Sequence, residues 1–154
     1  MKRHLFIQQV LKKPIRENQI MSGLLEKTNE SYAIAKIAGI QMIKSFNQQY
    51  KTNYVCLMPF NLFGPNDNYD LENSHFLPAL IRKISLASKK KNKVVKLWGT
   101  GKPLREILYV DEVAKACEFF LKKKTNNSLI NIGSSFELSI KEYANRIKKF
   151  CTLQ

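Results

Sequence analysis

Two hydrophobic rhythms alternate along this chain, and together they leave it few folds. Short apolar runs at 54–58, 94–98, 106–110 and 129–132 are interleaved with longer stretches whose apolar residues recur every three or four positions. The runs are too brief for helices, and a continuous apolar run suits a strand covered on both faces. The longer stretches suit amphipathic helices laid over a sheet. Strands alternating with such helices imply βαβ units and a parallel sheet, hence an α/β fold.

Residues 1–27 are poorly patterned, broken by Pro14 and Gly23. A first helix is expected over 31–48, with Thr28 or Asn29 as N-cap, Glu30 at its positive end, and Ile37, Ile40, Ile43 and Phe46 inward. Tyr54-Val55-Cys56-Leu57-Met58 reads as a buried strand closed by Pro59. Gly64-Pro65 marks a turn, and 66–73 is a polar loop. Ser74 is the expected cap of a second helix with Leu77, Leu80, Ile81 and Ile84 inward, and Pro78 is tolerable near its first turn. Asp111 is expected to cap a third helix, turning Ala114, Cys117, Phe120 and Leu121 inward. Ser139-Ile140-Lys141-Glu142 is a capping box, stapled by Leu138 and Tyr143, and opens a fourth helix with Tyr143, Ile147 and Phe150 on one face. The chain shows no internal repeat.

Composition narrows the function classes. The 154 residues hold 26 Lys+Arg against 12 Asp+Glu, a net charge of +14. Such a charge raises nucleic acid as a partner. The lysines, however, sit in clumps at Lys89-Lys90-Lys91-Asn92-Lys93, Lys122-Lys123-Lys124 and Lys148-Lys149, where helical patterns end and cations complement the helix terminus. No aromatic residues interleave with them to stack bases, and no finger or helix-turn-helix pattern appears, so nucleic-acid binding is the lesser alternative. No apolar run approaches the ~18 residues of a membrane span. After the basic start Met1-Lys2-Arg3, Gln8 and Gln9 cut the apolar stretch below the ~7–15 residues of a secretory signal. Cys56, Cys117 and Cys151 are odd in number, widely spaced and without a CxxC pair, which suits a cytoplasmic protein with neither disulfide scaffold nor zinc ribbon.

One pair carries chemistry. Tyr32-Ala33-Ile34-Ala35-Lys36 sets a phenol and an ammonium four residues apart on one helix face. A neighbouring ammonium favours the phenolate form, and a phenol so placed can pass a proton to or from a carbonyl or alcohol oxygen while a nicotinamide handles the hydride. Alone, such a pair is more often solvated or packed than catalytic. Its setting strengthens it, because the helix leads into a buried strand ending at Pro59-Phe60-Asn61-Leu62-Phe63-Gly64-Pro65, and ligands of open α/β sheets bind beyond the carboxyl ends of strands.

Residues 31–39, 58–68, 72–82 and 97–113 closely resemble the GDP-L-fucose synthase family, NADPH-dependent 3,5-epimerase/4-reductases of the extended short-chain dehydrogenase/reductase (NAD-dependent epimerase/dehydratase) group. The resemblance spans about 12–150 and includes a YxxxK at Tyr32 and Lys36, the distinctive segment Asn73-Ser74-His75-Phe76-Leu77-Pro78-Ala79-Leu80-Ile81-Arg82, Trp98-Gly99-Thr100-Gly101, and Arg105-Glu106 through Asp111. It implies the later half of a Rossmann-type doubly wound parallel sheet plus part of a small α/β substrate domain. The NADP-binding part would cover 1–64, continued by about 109–133, and the substrate part 65–108 and 134–154.

By that resemblance Tyr32 is the proton donor to the sugar C4 oxygen, and Lys36 binds the cofactor ribose and tunes Tyr32. Pro59, Phe60, Asn61 and Leu62 match the segment touching the nicotinamide end of NADP(H). His75 matches the acid of the epimerisation and lies by the cofactor, work that suits an imidazole. Without the family, a histidine there would read as a cap. Trp98 and Arg105 match positions that hold the GDP-sugar, an arginine fork suiting a pyrophosphate and an indole a sugar or base. Lys83 stands where the family often has a second arginine, which keeps the charge and loses the fork. No metal is implied, and homodimers are usual in the family.

Two departures accompany the match. No G-x-G-x-x-G or G-x-x-G-x-x-G occurs, and the close pair Gly99/Gly101 precedes another strand rather than a helix, so it is no pyrophosphate cradle of that kind. The family's Ser and Cys upstream of YxxxK are also missing: an ungapped count puts Arg3 and Leu5 there, and resemblance resumes near Lys12-Lys13-Pro14. Residues 1–11 therefore read as an altered start to an incomplete enzyme with little activity of its own. A non-catalytic nucleotide-sugar-binding module is the alternative.

Overall fold

The computed structural model describes residues 16–71, 73–91 and 94–152. Residues 1–11, expected as an altered start, the Lys12-Lys13-Pro14 segment, Asn92 and Lys93 lie outside the described residues. Two single-turn 3-10 helices, Glu17–Gln19 and Lys27–Asn29, lead into α1 (Glu30–Tyr50), β1 (Cys56–Pro59), β2 (Asn61–Phe63), α2 (Phe76–Lys89), β3 (Leu104–Tyr109), α3 (Val110–Lys122), β4 (Leu129–Ile132), β5 (Glu137–Ser139) and α4 (Ile140–Thr152). The chain divides into two compact units, Met1–Phe60 with Asp111–Gly133, and Asn61–Val110 with Ser134–Gln154.

In the first unit β1 and β4 pair in parallel, Cys56 opposite Leu129 and Pro59 opposite Ile132. The Cys56 N–H donates to Ser128 O at 2.8 Å, and the Phe60 N–H extends the ladder to Ile132 O at 3.0 Å. The strand starts later than the apolar run because Tyr54 is otherwise engaged. Asn47 near the end of α1 accepts from the Tyr54 N–H at 2.9 Å and donates to the Tyr54 carbonyl at 2.8 Å, closing the turn between helix and strand. Cys56, Leu57 and Met58 are half-buried rather than fully covered.

Helix α1 buries Ala33 and Ile40, and Ala33 packs with Leu25, Ile37 and Met58. Steps of seven along that stripe lead from Ala33 to Ile40 to Asn47, so Phe46 falls off it. Its ring is exposed and lies 5.2 Å from that of Tyr50. Asn29 precedes the helix without a side-chain capping bond, and Lys51 in the left-handed conformation (φ 55°) ends it.

Helix α3 departs further from the sequence reading. It begins at Val110 directly after β3, so Asp111 occupies the first turn instead of the cap. Val113, Ala116 and Phe120 are half-buried, whereas Ala114, Cys117 and Leu121 are exposed, Leu121 at 87%. The helix is amphipathic, but its less exposed stripe runs through 113, 116 and 120.

In the second unit β2 pairs in parallel with β3, and β3 pairs antiparallel with β5. This antiparallel edge is made by β5, a strand the sequence pattern did not mark, and it starts β3 at Leu104 opposite Ser139. Leu77, Leu80 and Ile84 of α2 form the core with Leu138 and Tyr143, and Phe63, Val95, Leu97, Ile107 and Ile147 pack against it. His75, not Ser74, is the N-cap of α2, and its carbonyl accepts the Ala79 N–H at 3.1 Å. Pro78, three residues in, is fully buried.

The run 94–98 is not a strand. Val95 and Leu97 do turn into the core, but residues 94–97 have no ladder partner, and Val94 and Trp98 stand 82% exposed. Phe150 of α4 is likewise exposed, with Cys151 packed against the core in its place. The expected capping box is present: the Glu142 N–H donates to Ser139 Oγ at 3.2 Å and the Ser139 N–H to Glu142 Oε2 at 2.7 Å. The lysine runs close helices as expected, Lys89 ending α2 and Lys122 ending α3.

Candidate active site

Tyr32 and Lys36 share one exposed face of α1, the Lys36 ammonium 5.4 Å from the phenol centroid. A spacing of four on a helix brings such side chains together without tertiary help. Ala33, between them in sequence, is fully buried, so the helix is seated by the adjacent stripe while the phenol stays half exposed. Pro59 ends parallel strand β1, and Phe60 follows it. These four belong to the first unit.

The other candidates belong to the second unit. Asn61 opens β2, and its Nδ2 donates to Glu106 O at 2.9 Å, fastening the strand start to β3. Leu62 beside it is exposed. His75 is exposed at the start of α2. Lys83, one α2 turn beyond Ala79, places its ammonium 4.4 Å from the centroid of the Trp98 indole. The fold thus brings these two substrate candidates together. Arg105 is half-buried on β3, and its Nη1 donates to Leu104 O at 2.9 Å.

Two residues beside Arg105 escape a reading of the sequence. Glu106 is 3% exposed, and its Oε1 accepts the Ser135 N–H at 2.8 Å. Ser135 has φ 59°, so a buried carboxylate holds a left-handed turn next to the sheet. A charged residue inside the apolar run of β3 was the available signal. Tyr143 was expected only as an apolar contact, yet its hydroxyl donates to Arg105 O at 3.2 Å. Burial pushes its phenol up from the ordinary value, Arg146 opposes, and Glu106 and Glu142 add to the rise.

Cys56 is no candidate base. Burial pushes its thiol up, outweighing the opposing charge of Lys44, so the neutral form is favoured.

For a nicotinamide cofactor the fit is partial. A phenol and an ammonium on one helix face, with Pro59 and Phe60 at the carboxyl end of a parallel strand, suit the nicotinamide-ribose end. Among the described residues no glycine-rich turn opens a helix. Gly99 and Gly101 have φ 78° and 70°, but they lead to β3, and Gly101 O already accepts the Lys141 N–H at 3.0 Å.

Residues 9–133 match the NAD dependent epimerase/dehydratase family. The chain belongs to that family. A probable GDP-L-fucose synthase of Oryza sativa subsp. japonica is 46% identical over 141 residues, 92% of this chain and 43% of that protein. The GDP-L-fucose synthase of Escherichia coli (strain K12) is 42% identical over 147 residues, 90% of this chain and 46% of that protein. The chain thus spans a little under half the length of these relatives. A GDP-D-glycero-L-gluco-heptose synthase from Campylobacter jejuni, crystallised in the presence of NADPH, superposes with a TM-score of 0.84 at 31% identity, covering 96% of this chain and 54% of that one. This member of the NAD dependent epimerase/dehydratase family therefore has the group's mixed α/β architecture, and no described helix is long and apolar enough to cross a membrane.

Proposed function

We propose that this chain carries the catalytic helix and the nucleotide-sugar arm of a GDP-L-fucose synthase-type epimerase/reductase. The observation that carries the reading is Tyr32 beside Lys36, in a chain 42–46% identical to GDP-L-fucose synthases of a plant and a bacterium. The reaction is conversion of GDP-4-keto-6-deoxy-D-mannose to GDP-L-fucose, with NADPH supplying the hydride when bound. The residues of the first unit would form the later part of an NADP-binding domain, and those of the second part of a substrate domain.

Tyr32 donates its hydroxyl proton to the sugar C4 oxygen, and Lys36 holds the ribose and the phenol in register. Pro59, Phe60, Asn61 and Leu62 line the nicotinamide end. His75 delivers a proton during epimerisation, a role suited to a solvent-accessible imidazole. Trp98 covers the nucleotide-sugar by its indole face, while Arg105 and Lys83 meet the diphosphate. The work belongs in the cytoplasm, and the complete enzyme is a homodimer.

The residues given include neither a glycine-rich phosphate turn nor the family's Ser and Cys at their spacing before Tyr32, groups that the proposed turnover requires. The test is NADPH oxidation with GDP-4-keto-6-deoxymannose, for the chain alone and supplemented with the glycine-rich half of a relative. Supplementation is expected to raise turnover, and Tyr32→Phe to remove it by at least about a hundredfold, the scale of a lost proton donor. Rapid turnover by the chain alone would refute the need for the missing groups. Supplemented turnover that Tyr32→Phe leaves unchanged would refute the catalytic assignment.

A further inference from the structure

Helix α4 holds both segments that carry the nucleotide-sugar candidates. At its start the Ile140 N–H donates to Pro103 O at 3.1 Å and the Lys141 N–H to Gly101 O at 3.0 Å. Every helix start has such donors without intrahelical partners. Here two of them are spent on carbonyls of the loop that follows Trp98, while Ser139 and Glu142 satisfy each other. The approach is close: a Cβ added to Gly101 would stand 3.2 Å from Lys141 Cβ.

Tyr143 lies in the first turn of the same helix. Its ring is buried and meets Phe76 edge-on, centroids 5.9 Å apart. Its hydroxyl donates to the carbonyl of Arg105 at 3.2 Å, and Leu138 faces Arg105 across the β3–β5 ladder. A phenylalanine would fill the same space without a polar atom to satisfy, so packing alone does not account for the hydroxyl. What it adds is a side-chain anchor on the Arg105 carbonyl, beside the pairing of β3 with β5. A guanidinium donates two parallel bonds to a phosphate only when its origin is held, because the fork is rigid.

We propose that Tyr143 is a positioning residue for nucleotide-sugar recognition, its hydroxyl anchoring the Arg105 main chain so that the guanidinium meets the diphosphate in a preset orientation. The proposal rests on the assignment of Arg105 to the GDP moiety. It assigns Tyr143 no contact with substrate. Its effect passes wholly through Arg105.

The test is a double-mutant cycle read by calorimetric titration of GDP into the full chain, using wild type, Tyr143→Phe, Arg105→Ala and the double variant. Tyr143→Phe is expected to weaken GDP binding about two- to tenfold, the range of one lost hydrogen bond. Arg105→Ala weakens it more, and the double variant binds no worse than Arg105→Ala alone. A Tyr143→Phe variant with wild-type affinity, or one whose loss persists in full on the Arg105→Ala background, overturns the positioning role and leaves Arg105's assignment standing. A wild-type chain that does not bind GDP, or an Arg105→Ala variant that binds it unchanged, overturns that assignment and the proposal with it. Thermal midpoints accompany each titration. If Tyr143→Phe fails to fold, 4-fluorophenylalanine at 143, which fills the para position without donating, takes its place with the same expected outcomes.

Discussion

The Lys83 ammonium stands over the indole of Trp98, 4.4 Å from the ring centroid, and so ties helix α2 to an otherwise exposed loop residue. Val95 and Leu97 hold the preceding segment to the core, and Lys83 adds a constraint on the indole. An exposed pair of this kind contributes about 0.5–1 kcal/mol. A stability cycle of Lys83→Ala and Trp98→Ala should return a coupling of that size. Because Trp98 is the single tryptophan, its fluorescence should also respond to GDP-sugar and lose that response in Lys83→Ala.

Gly101 and Gly99 make a controlled comparison. Both have positive φ, where an added Cβ costs about 1–2 kcal/mol. Only Gly101 also has a neighbour in the way, Lys141 Cβ at 3.2 Å, while the space around Gly99 is open. Gly101→Ala should therefore lower the chemical-denaturation midpoint more than Gly99→Ala, and equal losses would contradict the close seating of loop on helix.

The capping box gives stability a defined pH dependence. Side-chain and then backbone hydrogen bonds from Ser139 hold the Glu142 carboxyl below its ordinary value of 4.5, against a small opposing effect of desolvation and with a still smaller lowering from Arg146. A carboxyl depressed on folding contributes stability that is present above its unfolded value and is lost as pH falls through its folded value. Thermal melts should show wild type above Glu142→Gln at neutral pH, the two converging on acidification below the usual carboxylate range. Ser139→Ala should cost about 0.5–2 kcal/mol at neutral pH by loss of the cap.

Much of this was legible in the sequence because it depended on local pattern. The helix over Tyr32 and Lys36 follows from spacing alone, and the capping box from four consecutive residues. What was not legible depended on distant partners. Residues 94–98 have the composition of a strand, but a strand needs a ladder partner, and the described fold offers them none. The stripe of α3 lies about one residue from the expected one, because periodicity shows that a helix is amphipathic but fixes the boundaries of its buried face only loosely. Tyr143 reads as an apolar staple because the carbonyl its hydroxyl reaches is 38 residues away.

The two best-contrasted thiols separate by environment. Burial keeps Cys56 protonated to higher pH, whereas Cys117 is exposed on α3. The thiolate is the reacting form, so iodoacetamide followed by peptide mass spectrometry should label Cys117 well before Cys56 near neutral pH. Labelling of Cys56 first would contradict its place in the β1–β4 pair.

The proposed function depends above all on recognition of a GDP-sugar through the Arg105 and Trp98 arm. Calorimetric titration of GDP-mannose into the full chain tests it most directly. Saturable binding is expected, weakened about tenfold or more in Arg105→Ala, as for lost hydrogen bonds to a charged group. Absence of binding at millimolar ligand, or binding that Arg105→Ala leaves unchanged, would contradict it.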